Sequence, residues 1–233
     1  MAYTRSRTRI PQRIIVTDDD VRDGVRALRR RCAVMRRVHD LAGHPPLRRR
    51  PAGFEGLARI IVGQQVSVAS ATAIWERTAA ACVPFEPATL LALSDKGLAG
   101  AGLSRPKIRT LRAIAAACAG GLDLTRLDDR SDQEIHDALT AITGIGPWTA
   151  DVYLTMALLR PDAFPHGDLA LVASAQRVKR LDARPSPLEL EQLAEAWRPH
   201  RAAAARILWH AYLSERAKPL PARPPPTPPV RAA

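Results

Sequence analysis

The sequence predicts an all-α fold, and three observations carry that reading. Apolar residues recur at helical spacing, as in Phe54, Leu57 and Ile61 at i, i+3 and i+7. Helix-start signals are frequent: Ser131-Asp132-Gln133-Glu134 and Ser186-Pro187-Leu188-Glu189 both read as capping boxes, the second with proline at the first helical position. No alternating apolar–polar run is long enough to demand a strand.

In chain order, residues 1–16 form a basic arm that ends in the apolar run Ile14-Ile15-Val16. Asp18-Asp19-Asp20 then opens a helix with Val21, Val25 and Leu28 on one face, the acids suiting the helix dipole. The helix from Phe54 runs into an interruption at Gly63-Gln64-Gln65-Val66 and resumes as an Ala-rich helix towards Cys82. Ser104-Arg105-Pro106-Lys107 opens the next, with Ile108, Leu111, Ala115 and Cys118 on one stripe and Gly120-Gly121 as its stop. Further helices are expected at 131–142, 147–160, 168–180, 187–197 and 201–216. The proline-rich run from Lys218 lacks the donors and apolar groups to pack and reads as a disordered, polyproline-like tail. The chain therefore divides into an arm at 1–16, a helical domain at 17–217 with a helical hairpin at 131–160, and a tail at 218–233.

Composition narrows the function classes. The chain of 233 residues carries a formal charge of +12, which ordinarily points to a polyanion partner. The surplus sits at the ends, however: residues 1–50 hold 14 Lys+Arg against 5 Asp+Glu, and 216–233 hold four basic residues and no acid. Net charge alone thus says nothing about the folded middle, and local motifs must decide. No run approaches the roughly 18 apolar residues of a membrane span, and no apolar segment follows the basic N-terminus as in a secretory signal. Cys32, Cys82 and Cys118 have no CxxC spacing and read as small core residues, neither a disulfide framework nor a metal site.

The informative stretch is Leu139-Thr140-Ala141-Ile142-Thr143-Gly144-Ile145-Gly146-Pro147-Trp148-Thr149-Ala150-Asp151. One helix ends at a Gly-x-Gly turn and Pro147 starts the next at once. Free N–H groups of such a turn and of the second helix's N-terminus can face an anion, and a DNA phosphate is the obvious guest. An ordinary αα-corner explains the same spacing equally simply. Taken alone, Asp168 likewise reads as a helix N-cap ahead of Leu169-Ala170-Leu171-Val172.

The segment Gly144–Ala150, together with Phe164-Pro165-His166-Gly167-Asp168, resembles the helix–hairpin–helix DNA glycosylase superfamily, and within it the alkylbase (3-methyladenine) DNA glycosylase II group. Phe54 through Ser67, Gly102-Leu103-Ser104-x-x-Lys107, and Trp197 through Trp209 fit in the same order, so the resemblance covers roughly 34–215. It implies two helical subdomains with the active site in the cleft between them. It also implies a monofunctional enzyme of base-excision repair that flips an alkylated base out of duplex DNA and hydrolyses its N-glycosidic bond.

By the same resemblance Asp168 is the catalytic carboxylate, with Asp151 as its competitor. Trp148 and Trp209 line the base pocket, where cation–π attraction suits a cationic alkylated base. Gln64, Gln65 and Val66 form the wedge, Gln65 at its tip, and Gly144, Gly146 and Thr149 bind phosphate. Some members carry a catalytic lysine where Trp148 stands, so no Schiff base and no lyase step are expected. No cysteine beyond Cys118 could supply an iron–sulfur loop, so the expected cofactor is none, with a monovalent cation at the hairpin as the family suggests. One family aromatic is missing, since Val152 stands four residues after Trp148.

Trp197 continues the Leu190/Leu193 stripe and reads as core, and His166, His200 and His210 lack ligand spacing. Arg105, Arg109 and Arg112 form a basic stripe, usually a solvated face and otherwise a phosphate-facing one. The expected partner is damaged double-stranded DNA, met by a monomer in the cytoplasm. Two other readings stand beside this one: a non-catalytic helix–hairpin–helix binding module, and a bifunctional glycosylase/lyase for oxidised bases.

Overall fold

The computed structural model describes residues 14–127 and 129–217, and every regular element among them is helical. The helices are α1 (Asp18–Arg31), α2 (Ala33–Ala42), α3 (Gly53–Gly63), α4 (Val68–Ala81), α5 (Pro87–Ala92), α6 (Asp95–Gly100), α7 (Arg105–Ala119), α8 (Asp132–Thr140), α9 (Pro147–Met156), α10 (Leu169–Lys179), α11 (Pro187–Ala194) and α12 (Arg201–Ala217), with a 3-10 turn at Glu195–Trp197. No helix among the described residues is long and apolar enough to cross a membrane. The basic arm up to residue 13 and the tail from 218 lie outside the described residues.

Two apolar cores divide these helices. The middle of the chain, α3 to α9, closes around Leu57, Ile61, Leu111, Ile114, Ile135 and Tyr153, all buried. The two ends of the chain meet in the other core: α1 and α2 pack with α10, α11 and α12 around Leu28, Met35, Leu171, Leu190 and Trp197. Each such aliphatic side chain contributes roughly 1.5–3 kcal/mol by leaving water, so both cores are needed to hold the cleft between them. Met156, at the end of α9, packs against both. The capping boxes at Ser131 and Ser186 form as expected, and Trp197 is core, edge-on to Phe164 at 5.7 Å between ring centroids.

Several boundaries differ from the sequence expectation. The arm does not extend to residue 16: Ile15 is buried in the second core and its N–H donates to the Leu159 carbonyl at 2.9 Å. α9 stops at Met156, because Leu158 N–H turns back to the Tyr153 carbonyl and Leu159 takes a left-handed φ of 57°. The freed segment 157–168 returns the chain to the cleft. α8 stops at Thr140, and α11 hands over to the 3-10 turn after Ala194. α2 escaped the sequence reading because only Cys32, in extended conformation, separates it from α1. α5 and α6, with six residues each, are too short to show a period.

Two buried polar groups tie the elements together. Arg206 of α12, 3% exposed, donates to the carbonyls of Leu47 (3.0 Å), Ala202 (3.0 Å) and Thr155 (2.9 Å), so one guanidinium joins the linker before α3, its own helix and the end of α9. Burial pushes it down to about 10, which leaves it charged at neutral pH. Asp151 of α9 is 8% exposed. His166 Nδ1 lies 3.5 Å from one of its oxygens and His136 Nε2 3.9 Å from the other. Burial, and then the Glu191 carboxylate, push Asp151 up to about 7 against the opposing pull of Arg201.

The folded state therefore keeps a proton on Asp151 that the unfolded chain releases near pH 4. The cost of ionising it grows as pH rises from about 4 to about 7, and stays in full above that. Replacing Asp151 with asparagine removes this cost. Melting curves of Asp151→Asn and the parent should nearly coincide at pH 4 and separate by several degrees in the variant's favour at pH 8. A difference that does not vary with pH would contradict this assignment.

Candidate active site

The cleft between the two cores opens on a pocket whose walls come from both. Ile60, Val152 and Met156 make its apolar side, and Gly63 admits the chain closely at the end of α3. Two indoles, Trp148 at the start of α9 and Trp209 in α12, line it with Asp168, and Arg48 and Arg50 reach it from the linker before α3. Val152, in the position of the missing aromatic, faces the pocket. Its neighbour Tyr153 turns the other way, accepting from the Gly53 N–H at 2.8 Å and donating to the Leu124 carbonyl at 3.3 Å.

Asp168 caps α10, and its side chain is fixed from three helices. Its Oδ1 accepts from the backbone N–H groups of Ala170 (3.0 Å) and Leu171 (3.1 Å) and from the Trp209 indole Nε1–H (3.1 Å). Its Oδ2 accepts from the Trp148 indole Nε1–H at 2.9 Å. Four donors and no acceptor are the complement of a deprotonated carboxylate. Oδ1 is saturated, whereas Oδ2 keeps lone-pair capacity towards the pocket. The cap reading and the site reading of Asp168 are thus the same geometry. What the sequence did not foretell is that both tryptophans donate to Asp168 as well as walling the pocket, so replacing either disturbs the carboxylate along with the aromatic surface.

Asp151 does not share this position. It lies outside the pocket lining, buried between α8 and the His166 segment.

The turn after α3 stands at the pocket's edge, with one expected wedge residue turned inward. Gln64 donates from Nε2 to Thr149 Oγ1 at 3.0 Å and so braces α3 against α9. Gln65 is exposed with a left-handed φ of 56°, and Val66 is 38% exposed. Val68, 84% exposed at the start of α4, is an apolar neighbour of this tip that the sequence reading passed over. Lys107 holds the turn from below, its Nζ donating to the Val62 carbonyl at 2.7 Å.

The hairpin turn faces solvent at Gly144 and Gly146. Gly144 has φ 90°, and a Cβ there would meet Thr110 Oγ1 at 2.1 Å, so only glycine lets the turn sit on α7. A Cβ at Gly146 would meet nothing within 4 Å. Among the described residues, no backbone carbonyl accepts from the N–H of either glycine. Thr149 corrects the expectation: it is 2% exposed and engaged by Gln64, so its hydroxyl does not face an incoming phosphate. The basic stripe of α7 also divides. Arg112 is committed to Asp95 and to the carbonyls of Leu91 and Leu93, while Arg105 and Arg109 stay exposed.

Comparison with known proteins gives this arrangement its relatives. Residues 58–199 match the family described as HhH-GPD superfamily base excision DNA repair protein. DNA-3-methyladenine glycosylase 1 of Schizosaccharomyces pombe is 30% identical over 161 residues, 67% of this chain and 71% of that protein. The solved structure of the S. pombe 3-methyladenine DNA glycosylase Mag1 in complex with abasic DNA superposes with a TM-score of 0.74 at 26% identity, over 83% of this chain and 97% of that one. The DNA-3-methyladenine glycosidase of Bacillus halodurans gives a TM-score of 0.72 at 29% identity, over 88% and 95% of the two chains. The chain belongs to the HhH-GPD superfamily of base excision DNA repair proteins.

Proposed function

We propose that this protein is a monofunctional DNA glycosylase that removes alkylated, 3-methyladenine-type bases from duplex DNA, with Asp168 as the carboxylate that drives the hydrolysis. The observation that carries the reading is Asp168 itself, a half-buried carboxylate held by two indole N–H groups at the back of a pocket. A protein that only binds DNA has no use for it.

Breaking an N-glycosidic bond builds positive charge on the sugar, an oxocarbenium-like transition state of the kind glycosidases stabilise with carboxylates. An ionised Asp168 stabilises that charge, and Oδ2, with one donor against three on Oδ1, is the oxygen left to meet the sugar or orient the attacking water. A cationic alkylpurine leaves as a neutral base, so one acid suffices. The indole faces of Trp148 and Trp209 suit such a base through cation–π attraction, worth ~0.5–2 kcal/mol per contact. The pocket lining contains no lysine, which supports a hydrolytic step without a Schiff base.

The rest of the chain holds the DNA. The N–H groups at Gly144 and Gly146, at the N-terminus of α9, suit a phosphate without reading sequence. Backbone carbonyls of the same turn are hard oxygen donors of the kind a monovalent cation takes, and its charge would add to the attraction for phosphate. Gln65 and Val66, at the exposed tip beside the pocket, suit the space vacated by an extruded base. The protein acts as a cytoplasmic monomer on damaged duplex DNA, with no redox cofactor.

Two substitutions test the two halves of this reading. Asp168→Asn keeps size and capping ability while removing the charge. It should fold, bind lesion DNA and lose base release from methylated duplex by at least ~10²-fold, the scale of a key electrostatic group. Near-parental turnover would remove Asp168 from the chemistry. Gly146→Val leaves the fold undisturbed, because its Cβ meets open space at an ordinary φ of −97°. It should weaken binding to damaged and undamaged duplex alike by roughly tenfold. Parental affinity for an abasic duplex would show that the hairpin is not the anchor.

A further inference from the structure

The pocket contains a charge that the proposed chemistry does not use. Arg48 and Arg50 enter it from the linker between α2 and α3, opposite in sign to Asp168. The linker is held by its backbone. Arg50 N–H donates to the Met156 carbonyl at 2.9 Å, the Leu47 carbonyl accepts from Arg206, and Arg48 takes a left-handed φ of 45°. Arg48 is exposed at the rim, whereas Arg50 is half-buried. Among the described residues the Arg50 guanidinium has no hydrogen-bond or ion-pair partner. Burial, and the nearby Arg59, make it harder to keep charged. A buried cation without a partner is costly unless a ligand supplies one. Asp168 does not, since its donors are two indoles and two backbone groups.

We propose that Arg50 is a specificity-determining residue that donates hydrogen bonds to the acceptor edge of an uncharged, carbonyl-bearing purine held in this pocket and stabilises the negative charge that base acquires as it departs. The proposal rests on the glycosylase reading above and names a second substrate class for the same site. A cationic alkylpurine has every reason to avoid a guanidinium, because like charges repel in a partly dry pocket. An uncharged 6-oxopurine presents ring-nitrogen and carbonyl acceptors, and a charge-assisted bond to Arg50 is stronger than one to a neutral donor.

The chemistry balances without a further reactant. Water oxygen bonds to the sugar C1′ as the C1′–N bond breaks. The bonding pair leaves on the base, delocalised onto its carbonyl oxygen beside Arg50. The water's proton passes to Asp168 and on to solvent, and the base anion takes a proton from solvent. Cationic bases need no such help because they leave neutral. The two charges in the pocket thus divide the work: Asp168 serves every substrate, and Arg50 serves those whose leaving group becomes an anion.

Arg50→Gln and Arg50→Lys test this, because the linker is fixed by the Arg50 backbone N–H and not by its side chain. Single-turnover release of hypoxanthine and of 3-methyladenine from otherwise identical duplexes is measured for each protein, with binding to an abasic duplex as a control. The hypoxanthine-to-3-methyladenine rate ratio should fall at least tenfold in Arg50→Gln and be partly restored in Arg50→Lys. A ratio unchanged within twofold overturns the proposal. If both rates and abasic-site binding then fall together, the guanidinium holds the DNA backbone instead. A parent that releases 3-methyladenine but no hypoxanthine also overturns it, leaving the glycosylase reading intact. A parent that releases neither base refutes that reading.

Discussion

The site depends on one carboxylate held from three directions. Asp168 is oriented by the N-terminus of its own helix, by an indole from the hairpin's second helix and by an indole from α12. Those helices belong to different cores, α9 to that of the mid-chain and α10 and α12 to that of the chain ends. A carboxylate with four donors loses most of its rotational freedom on folding, and in return the two halves of the cleft are registered on a single charged group. That pre-organisation is what electrostatic catalysis needs, since the charge is aimed before the substrate arrives.

Arg206 plays the corresponding role on the far side of α12. It joins the linker before α3 to the end of α9 through three carbonyls, and that linker carries Arg48 and Arg50 to the pocket. The two ends of α9 therefore serve different purposes. Its N-terminus faces solvent with the hairpin glycines and supplies Trp148 to the pocket, while its C-terminus anchors the linker. Asp151, between them, is a packing group with an unfavourable charge at neutral pH, and its place away from the pocket separates the two aspartates that the sequence alone left in competition.

Much of this was legible in the sequence, for identifiable reasons. The helical period and capping boxes are local signals, and they located α1, α3, α7, α8 and α10 to α12 to within a few residues. Glycine at 144 was readable as a turn because φ 90° and the contact with Thr110 admit nothing larger. Asp168, Trp148 and Trp209 could be proposed from the resemblance, but their mutual hydrogen bonds could not, because they join residues 20 and 41 positions apart. The inward turn of Gln64 and Thr149 was hidden for the same reason: polar side chains at a turn look solvent-facing until their partner 85 residues away is known. Arg50 drew no notice because it sits in a run of three arginines that composition assigns to the surface.

The central claim, that the Trp148 indole acts through Asp168, is tested most directly by a double-mutant cycle on single-turnover release of an alkylated base. Trp148→Phe keeps an aromatic face and removes the N–H donor, and the cycle isolates its coupling to the carboxylate. The loss caused by Trp148→Phe should be about tenfold larger in the parent than in the Asp168→Asn background, where an amide nitrogen facing the indole could not accept its hydrogen bond. An equal loss in both backgrounds would mean that Trp148 acts on the base alone, and that the carboxylate is not held in the way described.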